Sequence, residues 1–311
     1  MSPSKLLAQI EAHRQILNLP HLHLSYLEWN QGQEPLLLLH GLADSGSVWL
    51  SLAEFLNVDA PAASRRDRYH ILAPDLRGHG DSSKPDRGYR CGDIIADLEA
   101  LMDSVGWRAA HVVAHSWSAK VAAVWARQNP QRLRSMTLVD PFFIDRMPDW
   151  MGLTLPIAYR TLPFLKTMGP FANYDLAEQQ ARQLKQYRGW SDLQQAVFQV
   201  GMEQKPDGRW GSKFVVQARD QIFADTMQVA GLTESLEIPT LFLQPEGGLN
   251  RMEWQLKSYR TYLKNLKIQK IPGNHWAFLV EPIAFNQVVA AFLEEKRNDE
   301  QTGDRPIIHH P

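Results

Sequence analysis

A chain of 311 residues, 44% hydrophobic and 22% charged, is long enough to bury a large core and has the composition of a globular protein. Its formal net charge of -1, with no long run of one sign, excludes the electrostatic footprint of a nucleic-acid or anionic-membrane binder. A single cysteine, Cys91, excludes an internal disulfide framework and fits a reducing compartment, and no apolar stretch approaches the ~20 residues that span a bilayer.

Taken in order, residues 1–20 read as a short amphipathic helix ended by Pro20, and Gln9, Glu11, His13 and Arg14 interrupt any signal-peptide apolar core. The expectation is a cytoplasmic protein. His21 to Trp29 alternates Leu22, Leu24 and Tyr26 with more polar neighbours, which predicts a half-exposed strand at a sheet edge. Leu36 to Leu39 is continuously apolar, as in a strand covered on both faces. It runs into a glycine-containing loop, His40-Gly41-Leu42-Ala43-Asp44, whose backbone N–H groups can be aimed at a ligand. Tyr69 to Pro74 predicts the next buried strand, followed by Asp75-Leu76-Arg77-Gly78-His79-Gly80-Asp81-Ser82. An amphipathic helix is expected over Asp93–Val105, with Ile94, Ile95, Leu98, Leu101 and Met102 on one side.

Ala109 to Ala114 reads as a buried strand and Ser118 to Gln128 as a helix, with Ser116 at the turn between them. Ala114, Ser118 and Ala119 are small, as a strand and helix in close approach require. The serine hydroxyl then projects at the top of the sheet, beside the positive end of the helix. This is the outline of a nucleophile elbow. Ser135 to Val139 is a further strand, closing on Asp140-Pro141.

From Phe142 to about Ser235 the strand pattern breaks. Helix starts are expected where Asp175 precedes Glu178 and Ser191 precedes Gln194. Most of the large side chains here belong to the inner face of a helical layer. Trp150, Met151, Phe164 and Met168, together with Trp276 further on, are candidates to line an apolar pocket. Alternation resumes with a strand over Pro239–Leu243, a helix over Trp254–Leu263 and a last strand over Leu266–Ile271, which leads to Pro272-Gly273-Asn274-His275-Trp276.

Strands alternating with helices of this length predict an α/β fold: a doubly wound, mostly parallel sheet of about eight strands with a helical cap inserted after strand six. The core divides into residues 1–141 and 236–295, the cap is 142–235, and the polar, Pro-ended stretch 296–311 reads as a flexible tail.

The ordered set Leu39-His40-Gly41, Asp75 to Ser82, Ala114-His115-Ser116-Trp117-Ser118-Ala119 and Gly273-Asn274-His275 resembles the α/β-hydrolase superfamily over about residues 21–295. The resemblance implies a nucleophile–acid–histidine triad in that chain order, with an oxyanion hole of two backbone amides. Ser116 matches the nucleophile and His275 the base that takes its proton. The oxyanion donors would be the N–H groups of Leu42 and Trp117, and His40, His79 and His115 would serve loop packing.

The acid departs from the family pattern. The aspartate slot after the seventh strand is Gly248, which leaves Asp140, at the end of strand six, and Glu246 as the available carboxylates. Asp140 is favoured because a strand-end position is rigid and points to the face of Ser116; Glu246 is the alternative. Trp117 resembles the tryptophan that contacts halide in haloalkane dehalogenases, but those enzymes use an aspartate nucleophile where this chain has a serine.

The expected activity is that of a serine hydrolase, carboxylesterase-like, cleaving a small, largely apolar ester or acyl compound without cofactor or metal. Hydrolysis of a carbon–carbon bond in a diketone-like substrate is the enzymatic alternative, and a low-turnover ligand sensor on the same fold is the other. The expected partner is a small-molecule substrate, with no nucleic acid and no membrane span.

Overall fold

The computed structural model describes residues 2–30, 32–57, 68–148, 165 and 168–302. Eight strands form one sheet: β1 (Arg14–Leu19), β2 (Leu22–Asn30), β3 (Glu34–Leu39), β4 (Tyr69–Pro74), β5 (Ala110–His115), β6 (Leu133–Val139) and, after an insertion, two more. The insertion holds a short antiparallel hairpin, β7 (Met202–Gln204) with β8 (Trp210–Ser212). The last two strands of the main sheet are therefore β9 (Thr240–Gly247) and β10 (Leu266–Asn274). Strand order is β1-β2-β4-β3-β5-β6-β9-β10, antiparallel at β1–β2 and β2–β4 and parallel elsewhere.

The buried central strands show why the apolar runs are continuous. Side chains alternate across a sheet, so each face needs its own apolar set. On β3, Leu37 and Leu39 join one core cluster while Leu36 and Leu38 join the other. On β5, Val112 and Ala114 face the first and Val113 the second. The first face is covered by α3 (Cys91–Ser104) and α4 (Trp117–Gln128), the second by α1 (Pro3–Ala12), α2 (Leu50–Asn57) and the long helix Pro282–Thr302.

Three local expectations are corrected. The N-terminal helix stops at Ala12, and Arg14–Leu19 turns back as the edge strand paired with Leu22–Leu27, so Leu22–Asn30, expected at the edge, lies between β1 and β4. That pairing is fixed from outside the segment, because the Arg14 guanidinium donates to Ser25 and to Asp75 at 2.7 and 2.8 Å. The last helix continues through Thr302, so 296–302 is helical and not tail. The helix expected at Asp175 begins at Tyr174, and its N-cap is Asn173, whose side chain accepts from the Leu176 N–H. The box at Ser191 and Gln194 forms as the spacing predicts.

Within the insertion, Phe171, Tyr174, Trp190 and Trp210 pack around Phe198 and Met202 as a small core of their own. Buried Lys120, from α4, ties this layer to the sheet by donating to the carbonyls of Asp145 and Thr226.

Candidate active site

Ser116 stands between β5 and α4 with φ 60 and ψ -120, a backbone region that costs a non-glycine residue about 1–3 kcal/mol. The surroundings hold it there. Its N–H donates to the Val139 carbonyl at 3.0 Å and its carbonyl accepts from the Phe142 N–H at 3.1 Å. Ser118, one of the small residues around the turn, adds a tie of its own. Its hydroxyl accepts from the His115 N–H at 3.1 Å and lies 3.0 Å from the Leu39 carbonyl.

Parallel pairing of β5 with β6, and of β6 with β9 and β9 with β10, brings the ends of four strands to one edge of the sheet. Ser116 follows β5, Asp140 follows β6 and His275 follows β10. His275 Nε2 is 3.0 Å from Ser116 Oγ, and His275 Nδ1 is 2.6 Å from Asp140 Oδ2. With Asp140 ionised, Nδ1 carries the proton and donates, so Nε2 is left to accept from the serine hydroxyl.

Asp140 is fully buried, with φ 40. Its carboxylate accepts from the N–H groups of Leu249 and Asn250 and from the Asn250 side-chain amide, at 2.8 to 3.2 Å. Burial alone would raise its pKa. The bond and charge of His275, with the Asn250 and Leu249 donors, outweigh that and hold it below the ordinary carboxylate range. A Cβ added at Gly248 would sit 2.6 Å from Asp140 Oδ2. The Asp140 carboxylate therefore fills the space beside the slot where the family's usual acid begins. Glu246 is exposed on β9, and the carboxylate bonded to His275 is that of Asp140.

The loop 40–44 is held by neutral histidines. His40 Nε2 accepts from the Leu76 N–H at 2.9 Å, and its Nδ1–H donates to the Gly41 carbonyl at 2.7 Å. Burial depresses the pKa of both His40 and His79. Gly41 has no room for a side chain, since a Cβ would lie 2.4 Å from His115 Nδ1.

Sequence reading missed Asp44. Its side chain is 9% exposed, with Oδ2 3.7 Å from His115 Nδ1, and it accepts from the Trp276 indole N–H at 3.3 Å. His115 donates from Nε2 to the His275 carbonyl at 2.8 Å, so its Nδ1 turns a lone pair toward Asp44. Burial pushes the Asp44 carboxyl up to about 6, partly offset by His40, His275 and the Trp276 indole. A carboxyl with a raised folded pKa stabilises the fold most below its unfolded value of 3.8, and that contribution is lost as pH rises through about 6. Asp44→Asn is neutral at every pH and is expected to exceed the parent in stability at about pH 8, by at most about 3 kcal/mol, with no difference near pH 4. Thermal unfolding across that range reads the effect. A pH-independent difference would remove Asp44 as the titrating group.

A cavity of ≈ 620 Å³ opens over Ser116 and His275. Leu42 and Trp117 line it beside the serine, and Trp276 is among the lining residues. Trp117 opens α4, so its N–H belongs to the first helical turn, whose donors have no partner within the helix. Its indole Nε1, by contrast, is buried without a hydrogen-bond partner among the described residues. Met168 packs against the main core and is not among the cavity-lining residues, while Trp150, Met151 and Phe164 lie outside the described residues. Phe142, Ile222 and Phe223 supply apolar wall instead. The wall is assembled from segments far apart in sequence, which is why aromatic content alone did not identify it. Among the described residues, no group of three His, Cys, Asp or Glu side chains could hold a metal ion, and no helix is long and apolar enough to cross a membrane.

Residues 34–282 match the family model described as the alpha/beta hydrolase fold. A haloalkane dehalogenase from Bradyrhizobium diazoefficiens is 33% identical over 128 residues, 41% of this chain and 38% of that protein. The chain thus spans about two fifths of the length of that curated relative. Among solved structures, E-2-(acetamidomethylene)succinate hydrolase superposes with a TM-score of 0.71 at 20% identity, covering 90% of this chain and 98% of that one. A marine microorganism esterase gives 0.68 at 22%, covering 86% and 98%. At these identities the two structures speak to the fold alone.

Proposed function

The chain belongs to the α/β-hydrolase family, and from that premise we propose that it is a serine hydrolase acting by acyl transfer on a small ester or related acyl compound. The observation that carries this reading is the unbroken run Ser116–His275–Asp140, with contacts of 3.0 and 2.6 Å, of which Ser116 and His275 line the cavity.

In the proposed reaction His275 Nε2 takes the Ser116 proton as Oγ bonds to the substrate carbonyl carbon. The carbonyl oxygen becomes an oxyanion facing the Leu42 and Trp117 N–H groups. Asp140, negative and buried, stabilises the imidazolium and fixes its tautomer. The tetrahedral centre collapses, the bond to the leaving oxygen breaks, and that oxygen takes the proton from His275. Water then enters by the same steps in reverse, which frees the acid and restores the serine. The insertion acts as a cap that encloses the acyl or alcohol portion.

The relative named above as a haloalkane dehalogenase does not transfer its chemistry to this chain. A serine that displaced halide from an alkyl carbon would become an ether, which water cannot release under these conditions. An acyl-serine is an ester, which the same histidine can hydrolyse.

A fluorophosphonate probe tests the reading, because it phosphonylates only an activated serine. The expected result is rapid labelling of the parent at neutral pH, abolished in Ser116→Ala, with turnover of a panel of esters of varied acyl length. An unlabelled parent with no esterase activity would sink the proposal and favour a sensor on the same fold.

A further inference from the structure

The cavity has a charge asymmetry that the triad does not use. Lys185 and Arg251 both line it, and among the described lining residues there is no aspartate or glutamate. Neither cation has an ion-pair partner among the described residues. Lys185 is fixed beside the triad histidine, because its carbonyl accepts from the Asn274 side-chain amide at 2.8 Å. Arg251 follows Leu249 and Asn250, whose N–H groups hold Asp140. The two charges thus come from separate segments, one tied to the residue before His275 and the other following the donors to Asp140.

Gln186 is the second, independent observation. It is 6% exposed and lines the cavity, and its side-chain amide has no hydrogen-bond partner among the described residues. The Asn274 amide is used at both ends, donating to Lys185 and accepting from the Trp276 N–H. The Gln186 amide is not one of the buried polar atoms that lack a partner, so it opens onto the cavity, where a ligand or water can complete it. Lys185, Arg251 and the Gln186 amide share the cavity lining with the apolar Leu42, Phe142, Ile222 and Phe223.

We propose that the substrate is an acyl compound carrying a carboxylate remote from the scissile bond, held by Lys185 and Arg251 with a hydrogen bond from the Gln186 amide. The inference rests on the serine-hydrolase reading and deepens it by naming the substrate class. A small monoanion matches the site chemically: two cations supply the countercharge, and one neutral donor adds direction without further charge. The apolar wall receives the hydrocarbon between the carboxylate and the reacting carbonyl.

Two matched ester pairs test it by kcat/KM. Mono-4-nitrophenyl glutarate against 4-nitrophenyl butyrate places the carboxylate on the acyl side. The 3-carboxyphenyl against the phenyl ester of butyric acid places it on the leaving side. In one pair the anionic member is expected to be preferred by about tenfold or more, the scale of one or two charge-assisted contacts open to solvent. That ratio is expected to fall about tenfold in the Lys185→Met/Arg251→Met variant and to shrink in about 0.5 M salt. Gln186→Leu is expected to raise KM for the favoured anionic ester more than for its neutral partner. The inference is overturned if the neutral ester is preferred in both pairs, or if the ratio is unmoved by the double variant. Fluorophosphonate labelling of Ser116 in every variant reports that the fold and nucleophile are intact. Absence of both labelling and turnover in the parent is the separate result that removes the hydrolase reading itself, and this inference with it.

Discussion

Ser116→Ala is expected to reduce kcat for any ester the protein turns over by about 10⁴- to 10⁶-fold, the range for loss of a serine nucleophile whose histidine and oxyanion donors remain. The substitution removes one oxygen from a 7% exposed site and keeps the backbone. The Ser116 N–H bond to Val139 and the carbonyl bond from Phe142 do not involve the hydroxyl. The elbow geometry should therefore persist, and substrate should still bind, so KM is expected to change little while kcat collapses. Steady-state kinetics with a chromogenic ester, beside circular dichroism of the variant, checks this. A variant that keeps more than about a tenth of parent turnover would mean that another group attacks the carbonyl.

The second large effect separates the two carboxylates. Asp140→Asn is expected to lower kcat by about 10³- to 10⁴-fold, because an amide in place of the carboxylate no longer dictates the histidine tautomer. Glu246→Gln is expected to stay within about twofold of the parent, since its side chain is exposed and the bond to His275 Nδ1 comes from Asp140 at 2.6 Å. The opposite pattern would transfer the acid role to Glu246. Gly248→Ala gives an independent reading of the same geometry. Its new Cβ would press on Asp140 Oδ2 from 2.6 Å, so activity is expected to fall although the residue itself has no chemistry. A fall comparable with that of Asp140→Asn would tie the loss to the displaced carboxylate.

The position of the acid shows how far local sequence reaches. Reading the strand after the insertion reveals that Gly248 lacks a carboxylate, and reading the end of β6 supplies Asp140 as a substitute. Neither segment says that the two meet. They meet because β6 and β9 are parallel neighbours, so Asp140 N–H donates to the Leu243 carbonyl at 3.0 Å and the following turn folds over the carboxylate. Asn250, which donates to that carboxylate and to the Pro141 carbonyl, carries no motif at all. Asp44 was likewise legible only as a loop residue, because its raised pKa comes from burial, in a fold that sets it beside His115 and Trp276, residues 71 or more positions away.

What the sequence determined by itself is whatever depends on neighbours along the chain. Period-two and continuous apolar runs marked the central strands, and the small residues around Ser116 marked the elbow. The order of motifs marked the family. The tertiary structure alone decided the pairing of Arg14–Leu19 at the sheet edge, the aromatics that form the insertion's own core instead of the cavity wall, and the presence of Lys185, Gln186 and Arg251 in one cavity lining. Each of these is set by partners distant in sequence, through sheet register, burial and shared hydrogen bonds, and a local pattern carries no trace of which distant residue supplies the other half of the contact.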